Sequence, residues 1–153
     1  MTNDPHIIID HPEWAGRNCT LICGPPGAGK TTLALQLHSR TLDLADFPTG
    51  TPRERMRSFG RQAWRAGRNP NPDLAVVQGA PLLERRLHLA DQCHPARTII
   101  LLTDADTCHQ RVTARNRQGA DGRGVSGQHA AIDYWWRQWQ SERSQSVVTT
   151  TEW

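Results

Sequence analysis

Gly24-Pro25-Pro26-Gly27-Ala28-Gly29-Lys30-Thr31 is the stretch whose reading decides how this chain folds. It matches GxxxxGK[ST] at every constrained position and carries a second threonine, Thr32, directly behind it. Cys19-Thr20-Leu21-Ile22-Cys23 in front has the composition of a strand. Behind, Thr32-Leu33-Ala34-Leu35-Gln36-Leu37-His38 sets Leu33 and Leu37 one helical turn apart. A strand, a glycine-rich loop and a helix in that order are the setting in which the motif has a physical meaning. Gly24, Gly27 and Gly29 let the loop turn tightly enough for successive backbone N–H groups to point into one hollow, and the following helix directs its positive end at the same spot. Phosphate oxygens fit there, cradled by the main chain from Gly24 through Ala28 to Gly29 and on to Thr32. Lys30 then reaches the β- and γ-phosphates of ATP as a point charge, and the Thr31 hydroxyl ligates Mg²⁺. Lys30 is also the only lysine in the chain, every other strong cation being arginine. Arginine's planar fork serves surface charge well but does not substitute readily inside a phosphate loop.

Working outward, 153 residues is the length of one domain, with enough chain to bury a core. The net charge of +3 permits an acidic partner without requiring one. Cys19, Cys23, Cys93 and Cys108 show no CxxC spacing, so they are expected to be free, buried thiols of a reducing, cytoplasmic protein. Cys93-His94 and Cys108-His109 have no second pair at ligand spacing and are assigned no metal. No apolar run approaches membrane-spanning length.

Residues 1–18 are polar apart from Ile7-Ile8-Ile9 and Trp14, and are expected to form an N-terminal extension, a short edge strand or an extended cap without a catalytic part. The helix after the loop is expected to run to about Arg40, and Thr41 to Phe47 to supply a second strand and its exit loop, with Asp43 and Asp46 at the strand's end. A helix from Pro52 to Gly67 has two faces. Met56, Phe59 and Ala63 recur at helical spacing on one, while Arg57, Arg61, Arg65 and Arg68 make a stripe on the other, extended by Arg53 and Arg55 and diluted only by Glu54. Mutual repulsion along that stripe points to an anionic partner. Leu74 to Gln78 is a third strand, Pro81 to Cys93 a helix, and Thr98 to Leu102 a fourth strand. Asp104 or Asp106 caps the next helix, which carries Arg111 and Arg115 one turn apart. Residues 116–127 are rich in glycine and arginine, including Arg117 and Arg123, and are expected to form a lid. Ile132, Trp135, Trp136 and Trp139 form the packed stripe of a last helix, and Ser146 to Thr150 a fifth strand. Alternating strands and helices predict an α/β fold with three layers: a five-stranded parallel sheet, helices on both faces, and a ligand site beyond the strands' carboxyl ends.

On GPPGAGKTT, the carboxylates after the second strand, and Arg-x-x-x-Arg-x-Arg before a glycine-rich lid, residues 20–141 resemble the small P-loop kinases, most of all the kinase domain of phage-type polynucleotide kinases. The resemblance implies an ATP-dependent phosphotransferase using Mg²⁺. It makes Asp43 or Asp46 the base that orients or deprotonates the acceptor hydroxyl. Ala45-Asp46-Phe47 is similar to the Gly-Asp-Phe or Asp-Asp-Tyr turn of such kinases, which favours Asp46. It makes Arg111, Arg115, Arg117 and Arg123 lid arginines that neutralise the phosphoryl group in transfer, the last two contacting nucleotide. Relatives often hold a Mg²⁺-bound water with an aspartate at the end of the third strand. Gln78 and Gly79 stand there instead, so metal binding falls to Thr31 and Asp43.

The acceptor would be bound by Arg53, Arg57, Arg61 and Gln78. An arginine stripe suits phosphates flanking the target hydroxyl, so nucleic acid is the leading acceptor, through a 5′-hydroxyl end or a hydroxymethyl group on a modified base. A nucleoside, nucleotide or other small molecule is the alternative. An ATPase without a hydroxyl acceptor is a third reading, disfavoured because no Walker-B aspartate follows Val77.

Overall fold

A computed structural model describes residues 4–115, 124–140 and 147–148. Six strands form one mixed sheet: β1 (His6–Asp10), β2 (Cys19–Cys23), β3 (Arg40–Leu42), β4 (Leu74–Gln78), β5 (Arg97–Leu101) and β6 (Val147–Val148), in spatial order β3-β4-β2-β5-β1-β6. The helices are α1 (Lys30–Leu37), α2 (Pro52–Arg68), α3 (Leu83–Cys93), α4 (Ala105–Arg115) and α5 (Val125–Gln138).

The four strands separated by helices behave as their alternation predicts. β2 pairs parallel with β4 and β5, and β3 pairs parallel with β4. Side chains alternate across this sheet. Cys19, Leu21 and Cys23 of β2 face one apolar cluster with Leu74 and Val76 of β4, Phe59, Ala63 and Ala66 of α2, and Leu89 and Ala90 of α3. Ile22 joins Ala75, Val77, Leu33 and Ala34 of α1, and Cys108 and Val112 of α4 on the other face. α5 contributes Ile132 to one cluster and Trp135 to the other, with Trp139 stacked 5.3 Å from Trp135. All four cysteines are buried and free.

The expected five-stranded parallel sheet needs correction at one edge. Residues 6–10, expected in the extension, are an interior strand: β1 pairs antiparallel with β5 and with β6. Its pairing covers the edge of β5. Ile7 and Ile9 go into the core. Of the predicted last strand, Ser146 to Thr150, Val147–Val148 is described and forms β6, while the rest lies outside the described residues.

Two boundaries also move. α1 stops at Leu37 because the buried ring of His38 leaves the helix, its Nε2 2.7 Å from Thr20 Oγ1 and its Nδ1 3.2 Å from Asp73. β3 ends at Leu42, and Leu44–Asp46 is a single 3-10 turn rather than strand. α2 begins at a capping box in which Thr51 Oγ1 accepts from the Glu54 N–H at 3.1 Å and Glu54 accepts from the Thr51 N–H at 3.3 Å. Among the described residues no helix is long and apolar enough to cross a membrane.

Candidate functional site

The site is assembled at the carboxyl ends of β2, β3 and β4. The loop leaves β2 at Gly24, whose N–H donates to Gly79 O (3.1 Å) at the exit of β4. The same carbonyl accepts the Trp135 indole N–H at 2.8 Å, so α5 pins the crossing from beneath. Gly27 and Gly29 adopt φ of +81° and +93°, the left-handed region that glycine enters without strain. Gly29 ends the loop as the N-cap of α1 with no side chain capping it. The first-turn N–H groups of Lys30, Thr31 and Thr32 therefore meet the hollow at the positive end of the helix. Thr31 and Thr32 are exposed, and Ala28 is buried under the loop.

Lys30 bends back over the loop and donates from Nζ to Gly24 O and Pro25 O, both at 2.8 Å. Burial pulls its pKa down to about 8, against which Asp43 pulls upward, while Arg115 adds to the depression. Asp43, the first residue past β3, is half-buried, and burial pushes its carboxyl above the ordinary range while N–H donation from Leu44 and the Lys30 charge oppose the shift. Lys30 and Asp43 thus stand within each other's field across the strand ends. Asp46 is exposed, and its Oδ2 accepts the Asp43 N–H at 2.9 Å, closing the 3-10 turn.

Of the four arginines expected in the lid, the two that lie among the described residues differ in placement. Arg111 faces the outside of the loop, donating to Gly27 O (3.3 Å) and Asp4 Oδ2 (2.9 Å). Thr103, at the exit of β5, also donates to Asp4 Oδ2 at 3.1 Å and lies 3.5 Å from Ala28 O. Asp4, Thr103 and Arg111 together brace the loop from behind, a part for the N-terminal segment that its composition does not reveal. Arg115 is exposed at the end of α4, donates to Gln128 Oε1 at 3.1 Å and projects its charge onto Lys30. Arg117, Arg123 and residues 116–123 of the expected lid lie outside the described residues, while Gly124 to Gly127 form the cap and first turn of α5.

On α2 the buried and exposed faces separate as the spacing requires. Arg53, Arg57, Arg61 and Arg65 are exposed, and Arg68 lies 4.3 Å over the half-exposed ring of Trp64. Arg55 leaves the stripe to donate to Phe47 O and Leu44 O (3.1 Å), holding the turn that carries Asp43. Gln78, at the end of β4, accepts from Arg85 Nε at 2.7 Å. Two arginines escaped notice in the sequence. Arg86 is buried, donating to Ala80 O and Pro81 O (3.0 and 2.8 Å) and stacking 4.8 Å from Trp139, so it fixes the turn after β4. Arg85 points the other way, to Gln78 at the carboxyl end of β4. Their adjacency in an amphipathic helix is the only signal that could have separated them.

Among the described residues no group of three or more His, Cys, Asp or Glu side chains could hold a metal ion. A cavity of about 500 Å³ opens at the opposite, amino edge of the sheet, lined by His11, Thr20, His38 and Arg97 among others, remote from the loop. Compared with known proteins, the chain matches no family and no curated protein.

Proposed function

We propose that the chain is a small P-loop kinase that transfers the γ-phosphoryl group of ATP to a hydroxyl on nucleic acid. The observation that carries this reading is a half-buried Asp43 within the electrostatic field of Lys30 at the mouth of the glycine loop. A simple anion-binding loop has no use for a carboxylate there, since the charge would repel the ligand. A phosphotransferase needs one to take the acceptor's proton.

The loop N–H groups and Lys30 hold the triphosphate and lower the cost of charge building on the bridging oxygen. The acceptor oxygen bonds to the γ-phosphorus as the bond from that phosphorus to the β–γ bridging oxygen breaks, its electron pair leaving with ADP. The hydroxyl proton passes to Asp43, whose raised pKa makes it a stronger base than an ordinary aspartate. Asp43 is favoured over Asp46 because its carboxyl is half-buried within the field of Lys30, whereas Asp46 is exposed. Arg111 acts through the loop rather than on the phosphoryl group, and Arg115 is the described cation positioned to approach the transferring charge. Mg²⁺ would supply neutralisation of the phosphates' negative charge. The exposed Thr31 hydroxyl is a hard oxygen donor suited to an ion that otherwise keeps water and phosphate ligands, and it would hold the ion while Asp43 serves as the base. Nucleic acid is favoured as acceptor by the exposed arginines of α2, a helix that begins shortly after the turn carrying Asp43.

The test is transfer of labelled γ-phosphate, with Mg²⁺, to 5′-hydroxyl oligonucleotides, DNA with hydroxymethylated bases, nucleosides, and no acceptor. Label on nucleic acid, lost in Asp43→Asn and kept in Asp46→Asn, is the expected result. Label on nucleosides alone would move the acceptor to small molecules, and free phosphate made equally with and without acceptors would make the protein an ATPase.

A further inference from the structure

The amino edge of the sheet holds a second constellation of side chains, remote from the nucleotide loop. His38, where α1 ends, sits between Asp73 and Thr20. A carboxylate can only accept, so Asp73 takes the proton on His38 Nδ1 (3.2 Å) and leaves Nε2 with its lone pair toward Thr20 Oγ1 (2.7 Å). The threonine hydroxyl then donates to Nε2. Hydroxyl, imidazole and carboxylate in that order make a nucleophile, its base and the group that orients the base. Asp73 is itself held in place. Ser39 Oγ donates to its Oδ2, and the bonds from Ser39 and His38 keep its carboxyl below the usual carboxylate range. Its backbone takes φ +41°, a left-handed conformation that a side chain enters at a cost.

A latch that merely ended α1 would need no open space beside it. Thr20 and His38, 8% and 9% exposed, both line the cavity of about 500 Å³, a size that takes a small organic molecule. Ile8, Leu37 and Ile99 give that cavity an apolar wall. Arg97 also lines it, as the partner of Thr20 in register on β5 and on the same face of the strand as Ile99. Its Nε goes to Asp10 at 3.1 Å, and its two terminal amino groups have no partner among the described residues. An activated hydroxyl and a guanidinium fork suited to a carboxylate thus stand on adjacent strands, about 4.8 Å apart at the backbone.

We infer that Thr20, with His38 as its base and Asp73 as the positioning residue, forms an acyl-transfer site for a small carboxylic ester that also bears a carboxylate, which Arg97 holds. Thr20 Oγ1 bonds to the ester's carbonyl carbon as its proton passes to His38 Nε2 and the carbonyl π pair moves onto oxygen. When that pair returns, the bond to the alcohol oxygen breaks, and the departing alcohol takes the proton from His38. Water then gives a proton to Nε2 and bonds to the acyl carbon, and Thr20 Oγ1 leaves and recovers the proton. The net change is ester and water to acid and alcohol. This chemistry is independent of the phosphotransfer reading, because it uses no residue of the nucleotide loop.

The probes are 4-acetoxybenzoate and its methyl ester, with release of the phenol followed on the full chain. A non-hydrolysable ATP analogue with Mg²⁺ covers Lys30, the other nucleophile. Wild type is expected to hydrolyse 4-acetoxybenzoate faster than buffer does, with acid-quenched protein carrying acetyl on Thr20 by fragment mass spectrometry. His38→Gln should lower the rate by about a hundredfold, and Thr20→Val should abolish it. Thr20→Ser keeps the hydroxyl and its bond to His38, so it should retain turnover, which a loss of fold in Thr20→Val would not imitate. Asp73→Asn should lower kcat and leave KM, whereas a merely structural aspartate would move only the melting temperature. Arg97→Met should remove a preference of about tenfold in kcat/KM for the carboxylate over its methyl ester. Hydrolysis no faster than in buffer, or equally fast in wild type and Thr20→Val, overturns the inference. Equal kcat/KM for the two esters in wild type overturns the part assigned to Arg97.

Discussion

Raising the pH through the titration of Lys30 tests the geometry of the loop most directly. In the free protein Lys30 titrates at about 8 instead of 10.5, with burial the main cause. A bound triphosphate places several negative charges on the ammonium and restores its preference for the protonated form. Between about pH 8 and pH 10 nucleotide binding must therefore take up about one proton, and affinity falls about tenfold per pH unit. At about pH 9 only about a tenth of the free protein holds the ammonium, a loss of about 1.4 kcal/mol relative to neutral pH. A lysine with its ordinary pKa would weaken binding there by only a few per cent. The triphosphate's own last proton is gone well below this range, its pKa being about 6, so the change belongs to the protein. Calorimetry with a non-hydrolysable ATP analogue, in buffers of different ionisation enthalpy, reads affinity and proton uptake together. Constant affinity between about pH 7.5 and 9.5, with heats independent of buffer, would refute the reasoning. The same uptake in Lys30→Met would assign it to another group.

Two further outcomes follow from the loop's surroundings. Asp4→Asn breaks a partly exposed ion pair to Arg111, so nucleotide affinity should drop by about threefold to tenfold with little change in melting; unchanged affinity would show that Arg111 holds Gly27 without help. Gly27→Ala places a Cβ 2.8 Å from Cys108 O at φ +81°, and should cost about 2–4 kcal/mol in urea unfolding. Gly29→Ala at φ +93° meets open space and should cost about 1–2 kcal/mol, and equal costs would mean that α4 does not press on the loop.

What was legible in the sequence was local. The loop, its strand and helix, and the two faces of α2 follow from spacing along a dozen or so residues, and the structure has them at those positions. The pairing of β1 with β5 joins residues about ninety positions apart, and no local pattern in Ile7-Ile8-Ile9 encodes an antiparallel partner. Asp43 and Asp46 are three residues apart and chemically identical. Both accept backbone N–H groups, and only the turn formed by Leu44–Asp46 gives one a half-buried place near Lys30 and leaves the other exposed. The arginines were the least readable. Arg111, Arg85 and Arg86 have one chemistry and three placements, behind the loop, against Gln78 at the end of β4 and in the core, because a guanidinium's use is set by which oxygens the fold brings to it.

The solitary lysine has a consequence beyond binding. Within this chain every reaction of a side-chain ε-amine has a single address, and that address is the nucleotide loop. A pKa near 8 leaves a substantial fraction of unprotonated, nucleophilic amine under mildly alkaline conditions, where other lysines stay blocked by their proton. Acylation there removes the one charge the loop supplies and fills its hollow. A modification that on most proteins would scatter over the surface becomes here an on-off event, and a nucleotide in the loop becomes its protecting group.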